Sequence, residues 1–454
     1  MKKLAILIAV LVAITVITFL LYFRFKQSIL QKLDIASVKP TAVKIANKIP
    51  SNELDPQVWG QYYPEEYASY LQNAEISQGQ SKYRGSVPFS YLEEDPIVKR
   101  LFAGIGFGID YNNKRGHFYA LEDVQKTKRV TNKTTASCWT CKSPNATQLI
   151  SEMGDSFYKQ PFKDIQPLIK HPVSCVDCHD SRTMQLKVTR QPFLEALKAM
   201  GKDPNSLSQT ELRSAVCGQC HSSYYLNSQT KKVVFPWKFG LKAENLEQYY
   251  RSIWFTEWSH PESKAPLIKA RHPEYETWST SVHASNKVAC ADCHMPKERM
   301  GDKTIASHHW QSPLNTIEFS CRGCHKDTNL KDQVITIQDE IYAKRMQAEK
   351  MISEAIDDIK KADNLPNSDG FNLMMARAMH RRAQWRWDFV ASENSMGFHN
   401  PEEARRLLDE SVKLATDAKN YAKTAIENPN PNITHQENPE YGDYKLGMGS
   451  RYLF

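Results

Sequence analysis

All ten cysteines of this 454-residue chain fall into C-x-x-C pairs. They are Cys138/Cys141, Cys175/Cys178, Cys217/Cys220, Cys290/Cys293 and Cys321/Cys324. In four pairs the next residue is histidine: His179, His221, His294 and His325. C-x-x-C-H is the attachment signature of c-type haem. The two thiols bond the macrocycle and the adjacent imidazole reaches the iron as a proximal ligand. The remaining pair reads Cys138-Trp-Thr-Cys141-Lys142, with lysine in the histidine position. A haem that differs from its siblings is the place to look for catalysis. Zinc ribbons, redox dithiols and disulfide frameworks also pair cysteines. None of them explains four histidines at one offset.

Five macrocycles would replace much of a side-chain core, so length alone does not count domains. The net charge of +8, from 59 basic and 51 acidic residues, is modest for this length. Haem propionates would offset part of it. No basic cluster points to nucleic acid.

Met1-Lys2-Lys3 precedes an uncharged, almost wholly apolar run from Leu4 to Phe23. That is about one bilayer crossing, ~20 residues. Arg24, Lys26 and Lys32 follow without a convincing small-residue cleavage site. Residues 1–26 therefore read as an uncleaved signal anchor, a long cleavable signal peptide being the alternative. Either exports the body, and covalent haem attachment is completed outside the bacterial cytoplasmic membrane. The expected location is the outer face of that membrane, in the periplasm.

Residues 27–54 read as a tether, and 55–326 as a catalytic body carrying the five motifs at uneven spacing. Residues 327–454 change character. Ile335 to Ala362 and Phe371 to Glu393 have the spacing of long amphipathic helices. A third starts at Asn400, with Pro401 at its first position and Glu403 at capping-box spacing, and extends to about Glu427. The fold class is mainly α: a multihaem body with little β structure and long C-terminal helices. Those helices could cover the core or build a dimer interface.

Of fourteen histidines, four are already proximal ligands. Distal ligands for four bis-histidine haems must come from His117, His171, His260, His272, His283, His308, His309, His380, His399 and His435. Spacing does not choose among them.

Several longer motifs resemble the pentahaem, ammonia-forming cytochrome c nitrite reductases. They are Arg115-Gly-His117, the lysine motif, Cys217-Gly-Gln-Cys-His221 with Tyr224-Tyr225, Lys269-Ala-Arg-His272-Pro-Glu-Tyr, Cys290-Ala-Asp-Cys-His294-Met-Pro and Phe398-His399-Asn-Pro-Glu-Glu. The likeness runs from about Trp59 to the last helices. It implies His117 as distal ligand for the haem at Cys217/Cys220 and His283 for that at Cys321/Cys324. His399 would serve Cys290/Cys293. His308 would serve Cys175/Cys178, with its neighbour His309 as the alternative. Lys142 would bind the iron at which nitrite undergoes six-electron reduction to ammonium. Arg129, Tyr224 and His272 would line that site. A guanidinium suits an anionic substrate, an imidazole can move protons near neutral pH, and a phenol can donate a hydrogen bond.

Many members of that family hold calcium beside the site, through a glutamate, a glutamine and the backbone of the tyrosine and lysine. Here those two side-chain positions are Ser223 and Arg271, next to Tyr224 and Lys269. Calcium needs several oxygen ligands, so Arg271 is expected to take its place. The resemblance also implies a homodimer and electrons from the quinol pool by way of a membrane tetrahaem quinol dehydrogenase. Rival readings are an electron-transfer cytochrome, or a reductase of another small oxyanion or of hydroxylamine.

Overall fold

The computed structural model describes residues 49–429 apart from Arg84. The signal anchor and most of the tether lie outside the described residues, as does His435. No helix among the described residues is long and apolar enough to cross a membrane.

The haem-motif region is built from short helices, 3₁₀ turns and three two-stranded antiparallel hairpins. The helices used below are α1 Pro56–Gly60, α2 Pro96–Leu101, α3 Pro144–Met153, α4 Gln209–Gly218, α5 Ala243–Ser252 and α6 Glu274–Ser279. The hairpins pair β1 Tyr225–Leu226 with β2 Val233–Val234, β3 Trp258–Ser259 with β4 Pro266–Leu267, and β5 Lys297–Met300 with β6 Lys303–Ala306.

Local chemistry starts these helices. Asp55, Asp95 and Ser143 each accept a backbone N–H at the head of α1, α2 and α3, and each precedes a proline at the first helical position. The oxygen satisfies an orphan donor and the proline presets φ. The short lengths follow from the punctuation: attachment motifs, prolines and glycines recur before any apolar stripe can extend.

Three long helices follow: α7 Leu330–Asp363, α8 Gly370–Ala391 and α9 Pro401–Glu427. Helix α7 begins five residues before the apolar periodicity of the sequence suggests. At α9 the Asn400 side chain accepts from Glu403 N at 3.2 Å. Glu403 pairs with Arg406, so its carboxylate serves the helix surface.

Helix α9 buries Ala404, Leu407, Leu408, Leu414, Ala415, Ala418, Ala422 and Ala425 at helical spacing. The alanines let α7 and α8 approach closely, and each buried leucine contributes about 1.5–3 kcal/mol. Helix α8 is different, because residues 383 to 390 are buried without interruption. It has no solvent face there, being sandwiched between its bundle partners and the body. Its polar groups bind backbone of the body: Arg381 to Pro266 O at 2.7 Å, Gln384 to Leu101 O at 2.7 Å and Trp385 to Ala243 O at 2.9 Å.

Candidate active site

One cavity of about 2790 Å³ runs through the body and is lined by all ten cysteines. Ordinary small-molecule pockets measure roughly 300–1,000 Å³, so this volume suits several large groups. None of the ten cysteines is in a disulfide. Ten histidines reach the cavity, whereas His260 and His380 meet edge-to-face 5.7 Å apart elsewhere in the core. His260 bonds Arg100 O and His380 bonds Gln384, so both are satisfied structural histidines.

The cavity histidines meet in pairs. His117 faces His221 with ring centres 5.8 Å apart, His179 faces His308 at 6.3 Å, His283 faces His325 at 6.3 Å and His294 faces His399 at 6.1 Å. Two imidazoles sharing one metal, with metal–nitrogen bonds of about 2 Å, hold their ring centres roughly 6 Å apart. Each of these four pairs joins one motif histidine to one distant in sequence; His221 also lies 6.1 Å from His272, whose Nδ1 turns to Glu274. The donor set and the spacing therefore fit haem iron.

The ring nitrogens support the same fit. Nδ1 is engaged at His179 by Met184 O (2.8 Å), at His294 by Gln311 O (3.0 Å) and at His308 by Ala306 O (2.9 Å). His399 Nδ1 meets Glu393. Such contacts leave Nε2 for a metal and fix the ring, as outer partners of metal-bound histidines do. His309 also lines the cavity, its Nδ1 meeting Gln311 Nε2 at 3.2 Å, but it is the ring of His308 that faces His179.

Lys142 lines the cavity with Arg129, Tyr224 and His272. It follows a rigid support: Trp139 stacks on Phe162 at 4.2 Å and donates to Phe162 O. Arg129 lies over the Phe107 ring at 4.2 Å and donates to Thr127 Oγ1 at 3.3 Å. Thr127 in turn bonds Asp110, which also accepts from Lys128 N at 2.8 Å. Burial lowers the guanidinium's affinity for its proton, opposed by Tyr224, Tyr111 and Asp110. The Tyr224 phenol is pushed up to about 12 by burial, so it remains a hydrogen-bond donor.

His272 sits at φ +49°, in the left-handed region. A non-glycine residue there costs about 1–3 kcal/mol, a strain found at functional positions. Its Nδ1 is 3.7 Å from Glu274 Oε1, and His221 Nδ1 is 3.9 Å from Glu274 Oε2. The ligand atoms of these three residues lie within 4.8 Å of one another. Asn394 donates to the same carboxylate. Burial pushes Glu274 up, but His272 and His221 outweigh it and hold the group down near 2.

Arg271 spans the neighbouring carbonyls. Its Nη1 donates to Lys269 O at 3.2 Å, Tyr224 O at 3.4 Å and Glu257 Oε2 at 3.0 Å, and Nη2 also pairs with Glu257. Burial works against this cation, yet Glu257 holds its pKa above the ordinary range. Ser223 contributes its N–H to Glu276 at 2.8 Å. Lys269 turns its own ammonium away, to Asp388 at 2.6 Å and Ser392 at 2.6 Å.

Sequence reasoning missed Glu257, Asp110 and Glu274 as partners of the site. Glu274 stood inside the quoted His-Pro-Glu-Tyr run. Glu257 and Asp110 carry no local signature, because their partners lie 14 or more residues away.

The cytochrome c552 family model matches residues 55–447. The cytochrome c nitrite reductase subunit NrfA of Nitratidesulfovibrio vulgaris Hildenborough is 36% identical over 436 residues, covering 87% of this chain and 83% of that protein. Cytochrome c-552 of Parabacteroides distasonis is 36% identical over 368 residues, covering 79% and 74%. The solved cytochrome c nitrite reductase of Desulfovibrio desulfuricans, described with two calcium sites, superposes with a TM-score of 0.80. It is 32% identical and covers 84% of this chain and 88% of that one. With a family match from residue 55 to 447 and relatives at this identity, the chain belongs to the cytochrome c552 family, alongside the NrfA nitrite reductases.

Proposed function

We propose that this chain is a dissimilatory nitrite reductase forming ammonium, with five covalent c-type haems. The observation that carries the reading is one cavity holding four imidazole pairs at 5.8 to 6.3 Å and a fifth attachment motif ending in Lys142. His117 with His221, His308 with His179, His399 with His294 and His283 with His325 would each hold one haem iron. An iron held by two imidazoles would supply electron transfer. A haem held by Cys138, Cys141 and Lys142 would supply the redox-active iron for nitrite reduction.

The chain's own residues supply the rest. Arg129 attracts and orients an anion, its guanidinium steadied by Thr127 and Asp110. Tyr224 donates a hydrogen bond to substrate oxygen. His272 carries protons toward the oxygens that must leave as water, and Glu274 orients its ring. Burial of the site strengthens each of these interactions.

Arg271 takes the calcium position. Its guanidinium already bonds the two backbone carbonyls, Tyr224 O and Lys269 O, that would serve as oxygen ligands. A second cation of charge +2 beside it would be repelled. Tightly bound stoichiometric calcium at this position would refute this part of the reading.

The protein acts in the periplasm, anchored by residues 1–26, with residues 27–54 as tether, 55–326 as pentahaem body and 327–454 as a dimer-forming helical region. Electrons come from quinol through a membrane tetrahaem quinol dehydrogenase. The test is nitrite turnover by the purified, haem-loaded protein with a low-potential viologen donor, counting ammonium formed per nitrite consumed. A one-to-one yield lost in Lys142→Ala is expected. Untouched nitrite in a fully loaded sample would favour an electron carrier instead.

A further inference from the structure

The second variable residues of the first three attachment motifs are Thr140, Asp177 and Gln219. All three converge on one dipeptide, Thr189-Arg190. Arg190 Nε donates to Thr140 O at 2.6 Å, and its Nη2 to Asp177 Oδ1 at 2.6 Å and Ser143 O at 3.3 Å. Gln219 Oε1 accepts from Thr189 N at 2.8 Å and Arg190 N at 3.0 Å, while its Nε2 donates to Asp177 O at 2.9 Å. The Arg190 and Asp177 side chains are 1% and 3% exposed. The fourth motif has an aspartate at the same position, Asp292, but its partner Arg213 is 36% exposed and belongs to α4.

The carbonyls of Thr140 and Ser143 bracket Cys141-Lys142. This matters because a lysine side chain has more rotors to immobilise than an imidazole. A histidine beside its cysteine reaches iron through a short, stiff link, whereas a lysine must be aimed by its backbone. We infer that Thr189-Arg190 is a buried clamp registering the first three attachment loops, and that Arg190 is the positioning residue that aims Lys142 at the iron. The inference rests on Lys142 being an iron ligand, as proposed above. Arg190 touches neither substrate nor iron. A planar, multi-donor cation suits the task, since one side chain must reach two carbonyls and a carboxylate at once.

The test is Arg190→Lys, which keeps a charge opposite Asp177 but removes the fork. We expect an unchanged number of haems per chain and unchanged spectra of the bis-histidine haems. The spectrum of the lysine-ligated haem should shift, with nitrite turnover down roughly 10–100-fold, the scale of losing a group that orients a metal ligand. In a Lys142→His background, where the ligand needs no aiming, the same substitution should change nothing further. A Lys142→Ala spectrum that differs from wild type while Arg190→Lys does not would overturn the clamp and leave the ligand standing. An equal shift in both backgrounds would also overturn it. A Lys142→Ala spectrum identical to wild type would remove the ligand assignment itself, and the inference with it. Should Arg190→Lys fail to load haem, Thr147→Val carries the question. It deletes the 2.6 Å bond from Arg190 Nη1 to Thr147 Oγ1 without touching an attachment loop. A shifted lysine-haem spectrum is expected there, and an unchanged one counts against the clamp.

Discussion

Before Leu330 the longest helix among the described residues has ten residues, and after it the shortest has 22. The two regions bury themselves by different means. Helices α7 and α9 close over rows of alanine, isoleucine and leucine that pack on each other and on α8. The body encloses a cavity of about 2790 Å³, and its loops are held by buried polar contacts such as Arg190–Asp177. One region has a side-chain core written into its periodicity. The other has side-chain clusters of its own, around Trp237 and Tyr250 and around Trp139 and Phe162, yet leaves beside them a cavity that covalently attached groups would fill. A large cavity walled by attachment motifs, and not polar wiring, which α8 shares, marks where a cofactor completes a core.

The largest expected effect comes from withholding that cofactor. Chain produced where haem is not attached should keep helicity from α7–α9 in far-ultraviolet circular dichroism. Residues before Leu330 should lose protease resistance, because the cavity walls then lose the apolar groups that would cover them and chain entropy is offset less. If the long helices melt together with the body, the division drawn here is wrong.

The seam between the regions offers a smaller perturbation. Asp388 on α8 accepts from Lys269 Nζ at 2.6 Å, Ser392 Oγ at 2.7 Å and Ala270 N at 2.7 Å, all buried. Asp388→Asn leaves Lys269 without its counter-charge and should destabilise by about 3–5 kcal/mol. Denaturant unfolding followed by both haem absorbance and circular dichroism tests this. Both transitions should move, since the pair belongs to both regions. Loss confined to one signal would show that the seam does not couple them.

Much of the bundle and the attachment chemistry was legible in the residues. Asn400-Pro401 marked the start of α9, and the cysteine pairs marked the cavity walls. Period and cap chemistry are local, so one sequence displays them. The imidazole pairings were not legible from spacing. His294 and His399 are 105 positions apart, as their numbering shows, and meet because α7 carries the chain away and α8 returns it to the body. The pairing came instead from the family's motifs. Arg190 was invisible for a related reason: its partners are three loops that sequence periodicity does not link. Glu257 was missed because nothing beside it announces an arginine 14 residues on.

A third prediction concerns pH and separates the regions further. Glu276 on α6 is fully buried, and its Oε1 accepts from Ser223 N and Trp237 Nε1, both at 2.8 Å. Burial raises its pKa from 4.5 to about 8. The folded chain thus keeps a proton that the unfolded chain releases. This contribution to stability is fully present below about pH 4.5 and is lost as pH rises through about 8. Glu276→Gln keeps the acceptor and removes the titration. The difference in unfolding free energy between the variant and wild type should grow in the variant's favour from pH 5 to pH 9. A pH-independent difference would show that Glu276 is ionised in the folded body.

The smallest expected effect lies where the bundle hands the chain back to the cavity. Asn400 caps α9 through Glu403 N and also donates to Thr280 Oγ1 at 3.0 Å, just beyond α6. Its neighbour His399 faces His294. Asn400→Ala removes the cap and should cost about 1 kcal/mol, while Asn400→Asp keeps it and should cost less. Because the cap is local to α9, the loss should appear in helical unfolding with the haem spectrum unchanged. A change in the haem spectrum would mean that the cap also positions His399, drawing the boundary between bundle and body ahead of the cap.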